Sequence, residues 1–316
     1  MPIGKTPIKV NFEEYKQLWV GKPKVGKTKM AGQIEKSVFF FTESGASDMA
    51  LDHYYPKNHS LEQGGAYIMT SPADFMSALL EIRETKPEDR PSTIIFDTID
   101  GMVKVYEHYI CSEAGEKTIN DGKLGYGKGW KLVKGEIYEL IEKLEKLNIG
   151  VVFISHLEEK TITRLNKEPE TVWRSTLPDQ AKVIIHGLVD FIWFFTQEGK
   201  KRWIYTEGDM SIEAGSRIEF PDRIEMGKSP QECYKNILDA FYGKNGKKDS
   251  GKSELITLIL KGEAYLSENK IDGFDTDKRR NNSRIKHLDT PELELSNMAK
   301  LQEYLQHLRT KAKEKK

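Results

Sequence analysis

The stretch LWVGKPKVGKTKMAG, residues 18–32, contains a glycine, four further residues and then Gly-Lys-Thr. Glycines at these positions allow a backbone path whose N–H groups point at phosphate oxygens, and the lysine reaches the β- and γ-phosphates. The threonine hydroxyl is a ligand for Mg²⁺. A solvated lysine-glycine turn is the alternative. The pattern predicts a nucleotide-phosphate site formed by Gly21, Lys22, Pro23, Lys24, Val25, Gly26, Lys27, Thr28 and Lys29.

Two carboxylates follow apolar runs that are typical of buried strands. Asp97 ends IIFD, where it can hold Mg²⁺ together with Thr28, directly or through water. Glu43 follows SVFFFT, where it can orient and deprotonate the water that attacks a γ-phosphate. A helix cap is the alternative for each, and a solvated loop acid is a further one for Glu43. Downstream of a phosphate loop, the two residues predict a hydrolytic site.

These residues need a sheet and helices to bring them together, and the hydrophobic pattern predicts both. Short apolar runs alternate with longer helical periodicities over residues 17–243, which is typical of an α/β domain around a mostly parallel sheet. Helices are predicted over 27–36, 73–84 and 130–148. Strands are predicted over 16–20, 37–42, 66–71, 92–98, 149–156, 187–196 and 202–207.

Composition and charge limit the class of protein. The 316 residues carry no net charge, and 38% of them are hydrophobic, which is enough for a sizeable core. The two cysteines show no metal-ligand or CxxC spacing, and the sequence has no apolar signal region or run of 18 apolar residues. We therefore expect a soluble, cytoplasmic protein with reduced thiols, located in the host cell if a phage encodes it.

The character of the sequence changes after the last predicted strands. Residues 243–253 are rich in Gly, Lys and Ser and predict a linker, and helical patterns follow over about 254–268 and 290–314. Residues 244–316 as a whole are modestly basic. We therefore divide the chain into a core domain, 1–243, and a charged helical extension, 244–316, that is either a helical appendage or an arm that docks a partner such as a single-strand-binding protein.

The order of these parts resembles the RecA-type ATPase core. The phosphate loop, FFFTES, YIMTSP, IIFDT, a long loop, a helix and VVFISH follow one another as in that core. GYGKGW, FISH, LPDQAKVIIHGLVDFIWFF and AGSR with FPDRI extend the resemblance, over about residues 8–243, to the core-only RecA-like phage proteins that anneal single strands. The resemblance implies a RecA-like P-loop fold, ATP and Mg²⁺ as cofactors, and a homo-oligomer that forms a ring or a filament.

The resemblance also implies roles for two further residues. His156 follows VVFIS, where RecA-type proteins place a polar residue, usually glutamine, that contacts the γ-phosphate and leads into a DNA-binding loop. Arg217, in EAGSR, lies where a cation often reaches the γ-phosphate of a neighbouring subunit. A hydrogen-bonded surface histidine and a solvated arginine are the alternatives. With Lys27 and Glu43, these two residues complete the predicted catalytic set.

Two long segments, about 113–130 and about 157–178, are predicted to contact single-stranded DNA. Both mix cations, which neutralise phosphates, with aromatic rings, which stack on unpaired bases. Loops of this length in a compact domain are usually functional. In the alternative, the aromatic rings of the first segment pack on the core and the charges are solvated. The predicted contacts are Lys123, Tyr126, Lys128 and Trp130 in the first segment, and Lys160, Arg164, Lys167, Trp173 and Arg174 in the second.

Three functions are compatible with this pattern. The first is an ATP-dependent recombinase that binds single-stranded DNA, promotes annealing or strand exchange, and hydrolyses ATP faster when DNA is bound. The second is a P-loop phosphotransferase, although the second segment offers only Arg164 and Arg174 for the arginine-rich lid of such kinases. The third is a nucleotide-gated docking module, such as a helicase-loader-like accessory protein. Glu43 together with Asp97 favours the first, because a pure switch does not need both.

Overall fold

The computed structural model describes residues 11–44, 49–56, 66–162, 169–209 and 211–243. The chain divides into two units, Met1–Ile237 and Leu238–Lys316, and the first contains the elements that position the site. The predicted linker and extension helices beyond residue 243 lie outside the described residues. The division into a core and an extension at residue 243 therefore stays a prediction.

The first unit is built on a central sheet whose strands are mostly parallel. The strands in the described residues are β1 (Lys16–Gly21), β2 (Ser37–Phe41), β3 (Thr93–Asp97), β4 (Gly150–Ser155), β5 (Leu157–Ile162), β6 (Glu170–Ser175), β7 (Phe191–Glu198), β8 (Lys201–Tyr205), β9 (Gly215–Ser216) and β10 (Arg223–Glu225). The central sheet has the order β10-β8-β7-β1-β4-β3-β2, with β9 paired to β7, and β5 and β6 form a separate antiparallel hairpin. The five central strands from β7 to β2 are parallel.

Helices cover both faces of this sheet. Those in the described residues are α1 (Lys27–Ala31), α2 (Pro72–Glu84), α3 (Ile99–Ala114), α4 (Lys128–Glu145), α5 (Asp179–Leu188) and α6 (Pro230–Phe241). Helices α2 to α5 share one core with Leu18, Phe96 and Phe153 of the sheet. On the other face, Trp19 stacks on Trp193, and buried Cys233 of α6 contacts Met30 of α1. The predicted fold, a mostly parallel sheet flanked by helices, is confirmed.

The strand order decides which residues meet. Strand β4 lies between β1 and β3, with Leu18 opposite Phe153 and Phe153 opposite Phe96. Parallel strands end at the same edge of a sheet, and ligands bind at that edge in open α/β sheets. We call it the carboxyl edge. The segments that follow β1, β2, β3 and β4 all start there. No helix in the part of the chain that the structure describes is long and apolar enough to cross a membrane.

Two predicted elements are shorter or absent. The strand predicted over 66–71 is wrong: Ile68 forms only an isolated bridge with Phe41, because the chain turns at once into α2. Ser71 caps that helix with its side chain, and proline occupies the first turn. The helix predicted over 27–36 ends at Ala31, where Gly32 closes the last turn through its N–H bond to the Thr28 carbonyl at 3.0 Å.

The described parts of the predicted DNA segments contain helices and strands, and the long loop predicted after β3 is a helix. Thr98 starts α3 by accepting a hydrogen bond from the Gly101 N–H at 3.1 Å, a cap that the sequence analysis did not use. The segment 113–130 contains the end of α3, a short 3-10 turn and the start of α4. The segment 157–178 contains the β5–β6 hairpin. The strand predicted from residue 187 begins only at Phe191, because α5 extends to Leu188.

Gly150, at the start of β4, is predicted to tolerate no side chain. An added Cβ would lie 1.6 Å from the Glu13 carbonyl oxygen, so the backbone would have to move. We expect Gly150→Ala to lower the free energy of unfolding by about 1–3 kcal/mol, measured by denaturant unfolding. Gly135→Ala is the control. Gly135 is an exposed position of α4 with no atom near its Cβ position, and we expect its replacement by alanine to raise the free energy of unfolding by about 0.5–1 kcal/mol. Equal effects would contradict the close contact.

Candidate nucleotide-binding site

The loop between β1 and α1 has the conformation that a phosphate loop requires. Lys24 and Gly26 both adopt left-handed backbone angles, with φ of 65° and 112°. Successive residues in such turns can direct their N–H groups at one anion. Gly21 ends β1 against β7, where an added Cβ would lie 2.7 Å from the Phe195 carbonyl oxygen. The two glycines therefore have different roles. Gly26 allows the left-handed turn, and Gly21 allows β7 to approach β1 closely.

Lys27 is buried inside this loop, with only 5% of its surface exposed. Its Nζ donates to the carbonyl oxygens of Gly21 at 2.5 Å and Lys22 at 3.0 Å. Burial lowers the pKa of Lys27 to about 8, although the nearby carboxylates of Asp97, Asp100 and Glu43 act in the opposite direction. The ammonium group is thus held within the loop, next to where a phosphate would bind.

Thr28 and Asp97 meet across the site, although 69 positions separate them in the chain. The Thr28 hydroxyl donates to Oδ2 of Asp97 at 2.7 Å. Burial raises the pKa of the Asp97 carboxyl, and the Thr28 hydrogen bond and the Lys27 charge oppose this shift. A hydroxyl and a carboxylate are hard oxygen ligands of the kind that Mg²⁺ prefers, so these two side chains fit the predicted metal site.

Glu43 lies just beyond β2 and is held by two partners. Its Oε1 accepts a hydrogen bond from the Thr98 hydroxyl at 2.8 Å, and its Oε2 lies 3.2 Å from Nε2 of His156. Thr42 fixes the same corner, because its hydroxyl donates to the Thr98 carbonyl at 2.9 Å and accepts from the Thr98 N–H at 3.0 Å. The sequence analysis missed both threonines. Their position directly beside Glu43 and Asp97 was the available signal.

The contact between Glu43 and His156 changes the pKa of both groups. The hydrogen bond from His156, helped by Thr98, lowers the pKa of Glu43 to about 2 against the opposing effect of burial. The hydrogen bond to Glu43 raises the pKa of His156, again against burial. Both shifts favour ionised Glu43 beside protonated His156.

The buried carboxylate of Asp100 connects this corner to the β5–β6 hairpin. It accepts hydrogen bonds from the Ser155 hydroxyl at 3.1 Å, from the His156 N–H at 3.0 Å, and from the Thr176 hydroxyl. The Thr176 N–H also donates to the His156 carbonyl at 3.1 Å. Asp100 therefore fixes both ends of the hairpin at the carboxyl edge. The sequence analysis did not single out Asp100, because a carboxylate in the first turn of a helix is usually only a capping residue.

These groups surround one cavity of about 500 Å³, within the range of small-molecule sites. It brings together the predicted Lys27, Thr28, Glu43, Asp97 and His156, and it includes Arg202, which the sequence analysis missed. Gly21 and Val25 of the loop are buried and do not line it. The lining residues are Pro23, Lys24, Gly26, Lys27, Thr28, Lys29, Phe41, Glu43, Met49, Asp97, Thr98, Ile154, His156 and Arg202.

Residues 13–218 match the protein family described as AAA domain. This range includes the phosphate loop, Glu43, Asp97 and His156. The chain belongs to the AAA domain family. This membership supports the predicted P-loop ATPase type. The finer assignment to single-strand annealing proteins stays a prediction.

Two individual proteins are similar to this AAA protein. The SPbeta prophage-derived uncharacterized protein YorG of Bacillus subtilis (strain 168) is 29% identical over 141 residues, which is 44% of this chain and 40% of YorG. The chain thus matches less than half of the length of that relative. The KaiC-like protein PH0186 of Pyrococcus horikoshii OT3 aligns with 69% of this chain and 88% of its own, at 10% identity and a TM-score of 0.36.

The four predicted DNA contacts of the first segment, 113–130, differ in how far they are exposed to solvent. Tyr126 is fully exposed at 105%, in a left-handed turn with φ of 55°. Trp130 is partly buried against the core, as the alternative expected. Lys128 is exposed, and Nζ of Lys123 donates to the Ala114 carbonyl at 3.2 Å. Tyr126 is therefore an accessible aromatic ring, and Lys123 and Lys128 are accessible cations beside it.

In the hairpin, the predicted DNA contacts have partners within the chain. Nζ of Lys22, in the phosphate loop, lies 4.4 Å from the ring centroid of Trp173. Arg174 lies 3.8 Å from Glu213, and Lys160 forms an ion pair of 2.6 Å with Glu158. Arg164 and Lys167 lie outside the described residues. The sequence did not predict that Trp173 would contact the phosphate loop.

Arg217 lies far from the phosphate loop of its own chain. Its Nη1 donates to Oδ1 of Asp190 at 3.2 Å and its Nη2 to the Gly187 carbonyl at 2.9 Å. Asp190 directly precedes β7, which runs parallel to β1, so Arg217 lies at the edge opposite the carboxyl edge. A role for Arg217 could therefore only concern the site of a neighbouring subunit, and that role stays a prediction.

The pair of Glu43 and His156 leads to a pH-dependent prediction. We expect the His156 ring to titrate above its ordinary pKa of 6.5 and Glu43→Gln to lower that pKa, because the carboxylate stabilises the protonated ring. NMR titration of the histidine rings measures this, with His156→Gln to assign the signal. His186, whose pKa burial lowers, is the internal control and should not respond. An unchanged His156 pKa in Glu43→Gln would contradict the contact.

The same pKa shifts define the pH range in which the pair of Glu43 and His156 stabilises the fold. The Glu43 contribution is complete above its ordinary pKa of 4.5 and is lost as the pH falls toward about 2. The His156 contribution is complete below pH 6.5 and is lost as the pH rises through the raised pKa of the folded state. The pair therefore contributes most between these two ordinary values.

Proposed function

We propose that this AAA protein is a DNA-stimulated, Mg²⁺-dependent ATPase that binds single-stranded DNA in phage recombination or repair and works as a homo-oligomer. One observation carries the proposal: Glu43, the predicted catalytic base, contacts His156, and Asp100 bonds both His156 and Thr176, the residues at the two ends of the predicted DNA-binding hairpin. A change in the hairpin therefore has a direct structural route to the hydrolytic site. The prophage origin in the name of the relative YorG adds support.

The residues of the cavity divide the chemistry among them. Lys27 binds the β- and γ-phosphates, and Thr28 with Asp97 holds the metal. Bound Mg²⁺ neutralises charge on the phosphates. Glu43 orients the attacking water and accepts its proton, and the Thr98 hydroxyl fixes the direction of the carboxylate. An Arg217 from a neighbouring subunit adds positive charge at the γ-phosphate in this scheme.

The pKa of Glu43 explains why DNA would stimulate hydrolysis. A carboxylate with a pKa of about 2 is a weak base near neutral pH. An efficient general base has a pKa close to the pH at which it works, and this carboxylate lies far below that pH. Moving His156 away removes the largest cause of this low pKa. In our proposal, DNA bound at the hairpin displaces His156 and makes Glu43 a stronger base.

ATPase turnover with and without single-stranded DNA tests the proposal. We expect DNA to raise turnover of the wild type, and Tyr126→Ala to weaken DNA binding by about tenfold because an exposed ring that stacks on a base is lost. Tyr138→Ala is the matched control, since Tyr138 is also an exposed tyrosine, 49% accessible, but lies on α4 outside the predicted DNA segments. It should bind DNA as the wild type does.

Two outcomes would contradict the proposal. Hydrolysis that does not respond to DNA would exclude the stimulation. A second substrate consumed in equal amount with ADP formation would identify a phosphotransferase instead.

A further inference from the structure

Arg202 is a cation beside the phosphate loop to which the sequence pattern assigned no role. It is the second residue of β8, which runs antiparallel to β7, so the start of β8 lies at the carboxyl edge. Its Nη1 donates to the Val25 carbonyl at 3.3 Å and its Nη2 to the Gly227 carbonyl at 3.4 Å. A Cβ added to Gly26 would lie 3.0 Å from Nη1. The guanidinium thus faces the second half of the loop.

The hydrogen-bonding capacity of Arg202 is only partly used. A guanidinium has five N–H donors, and the two bonds to Val25 and Gly227 are long for N–H···O contacts. Lys201 and Arg217 have acidic partners, Glu225 and Asp190, but no carboxylate of the described residues forms an ion pair with Arg202. Arg202 is partly buried and lines the cavity. A partly buried cation without a carboxylate favours an anionic ligand.

The strand order separates Arg202 from Asp97 and Glu43. Strands β7 and β8 lie on one side of β1, and β4, β3 and β2, which carry Asp97 and lead to Glu43, lie on the other. The phosphate loop therefore has the predicted metal and water on one side and Arg202 on the other. Val25 and Gly26 belong to the loop backbone, which in such loops surrounds the α- and β-phosphates, whereas the lysine reaches the β- and γ-phosphates.

We infer that Arg202 binds the α/β-phosphates of the nucleotide held by its own subunit, on the side of the loop opposite the metal. This inference rests on the proposed nucleotide binding. Because both ATP and ADP carry these phosphates, Arg202 contributes equally to the affinity for each. Its contribution to the hydrolytic step itself is small, since the contact is the same before and after the γ-phosphate is cleaved.

Two substitutions separate phosphate binding from a structural role. Arg202→Lys keeps the charge and loses the fork that reaches two carbonyls, whereas Arg202→Gln keeps N–H donors and loses the charge. Calorimetry should show that Arg202→Gln weakens ATP and ADP binding by the same factor, about 10- to 100-fold, with KM affected more than kcat. Arg202→Lys should keep most of the affinity. Lys201→Ala, the adjacent position on the exposed face of β8, should bind as the wild type does.

Four outcomes would overturn the inference. Wild-type affinities in Arg202→Gln would exclude phosphate binding. Equal losses in Arg202→Lys and Arg202→Gln, with a lower unfolding temperature of the nucleotide-free protein, would show that Arg202 only ties Val25 to Gly227. A loss for ATP alone would place the contact at the γ-phosphate. Wild-type protein that binds neither nucleotide would overturn the proposed function as well, so that failure is distinguishable from the other three.

Discussion

Lys27→Ala is expected to weaken ATP binding by about 100-fold or more and to abolish hydrolysis. The ammonium is buried in the loop and already bonds the carbonyl oxygens of Gly21 and Lys22, so it is positioned to bond phosphate oxygens without rearrangement of the backbone. A charge-assisted hydrogen bond of this kind is worth about 1.5–3 kcal/mol, and Lys27 makes more than one with a triphosphate. Calorimetry with ATP and with a non-hydrolysable analogue measures the loss.

A surface lysine provides the control for this experiment. Lys146→Ala removes an exposed ammonium that pairs only with Glu142 on α4, and it should leave binding and hydrolysis unchanged. The unfolding temperature of the nucleotide-free Lys27→Ala protein shows whether the variant folds. A folded Lys27→Ala protein that binds ATP normally would show that the phosphates do not bind at this loop.

Glu43→Gln is expected to lower kcat by about 10²- to 10⁴-fold while ATP binding is retained. The glutamine side chain can still accept the hydrogen bond from Thr98, so the geometry of the corner is preserved. It cannot accept the proton of the attacking water. Single-turnover hydrolysis, together with direct measurement of ATP affinity, separates the loss of chemistry from a loss of binding.

The matched control is a carboxylate near the other end of β2, away from the site. Glu35→Gln changes an exposed acid that precedes β2, at the edge opposite the carboxyl edge, and it should hydrolyse ATP at the wild-type rate. If Glu43→Gln and Glu35→Gln were equally active, a group other than Glu43 would be the base. His156→Ala extends the series: it should raise hydrolysis in the absence of DNA and lose most of the further stimulation by DNA, because the contact that holds Glu43 as a weak base is removed.

The sequence by itself determined the parts that depend on short-range chemistry. The phosphate loop, the apolar runs of β1, β3 and β4, and the carboxylate at the end of β3 could be predicted, because strand burial and loop glycines leave local patterns. The strand end at SVFFFT suggested Glu43 as the base, and the resemblance then suggested a role for His156. Each of these predictions rests on a local pattern, a few residues of motif with the strand or loop beside it.

Only the tertiary structure decided which of these residues are in contact and which side-chain atoms make the contacts. The contacts of Thr28 with Asp97, Glu43 with His156, and Asp100 with Thr176 join residues that are 69, 113 and 76 positions apart. They exist because β4 is inserted between β1 and β3, and the pairing of strands is not encoded in any local pattern. For the same reason Trp173 contacts Lys22 and Arg202 lines the cavity: both reach the loop across the sheet edge from segments more than 140 residues away.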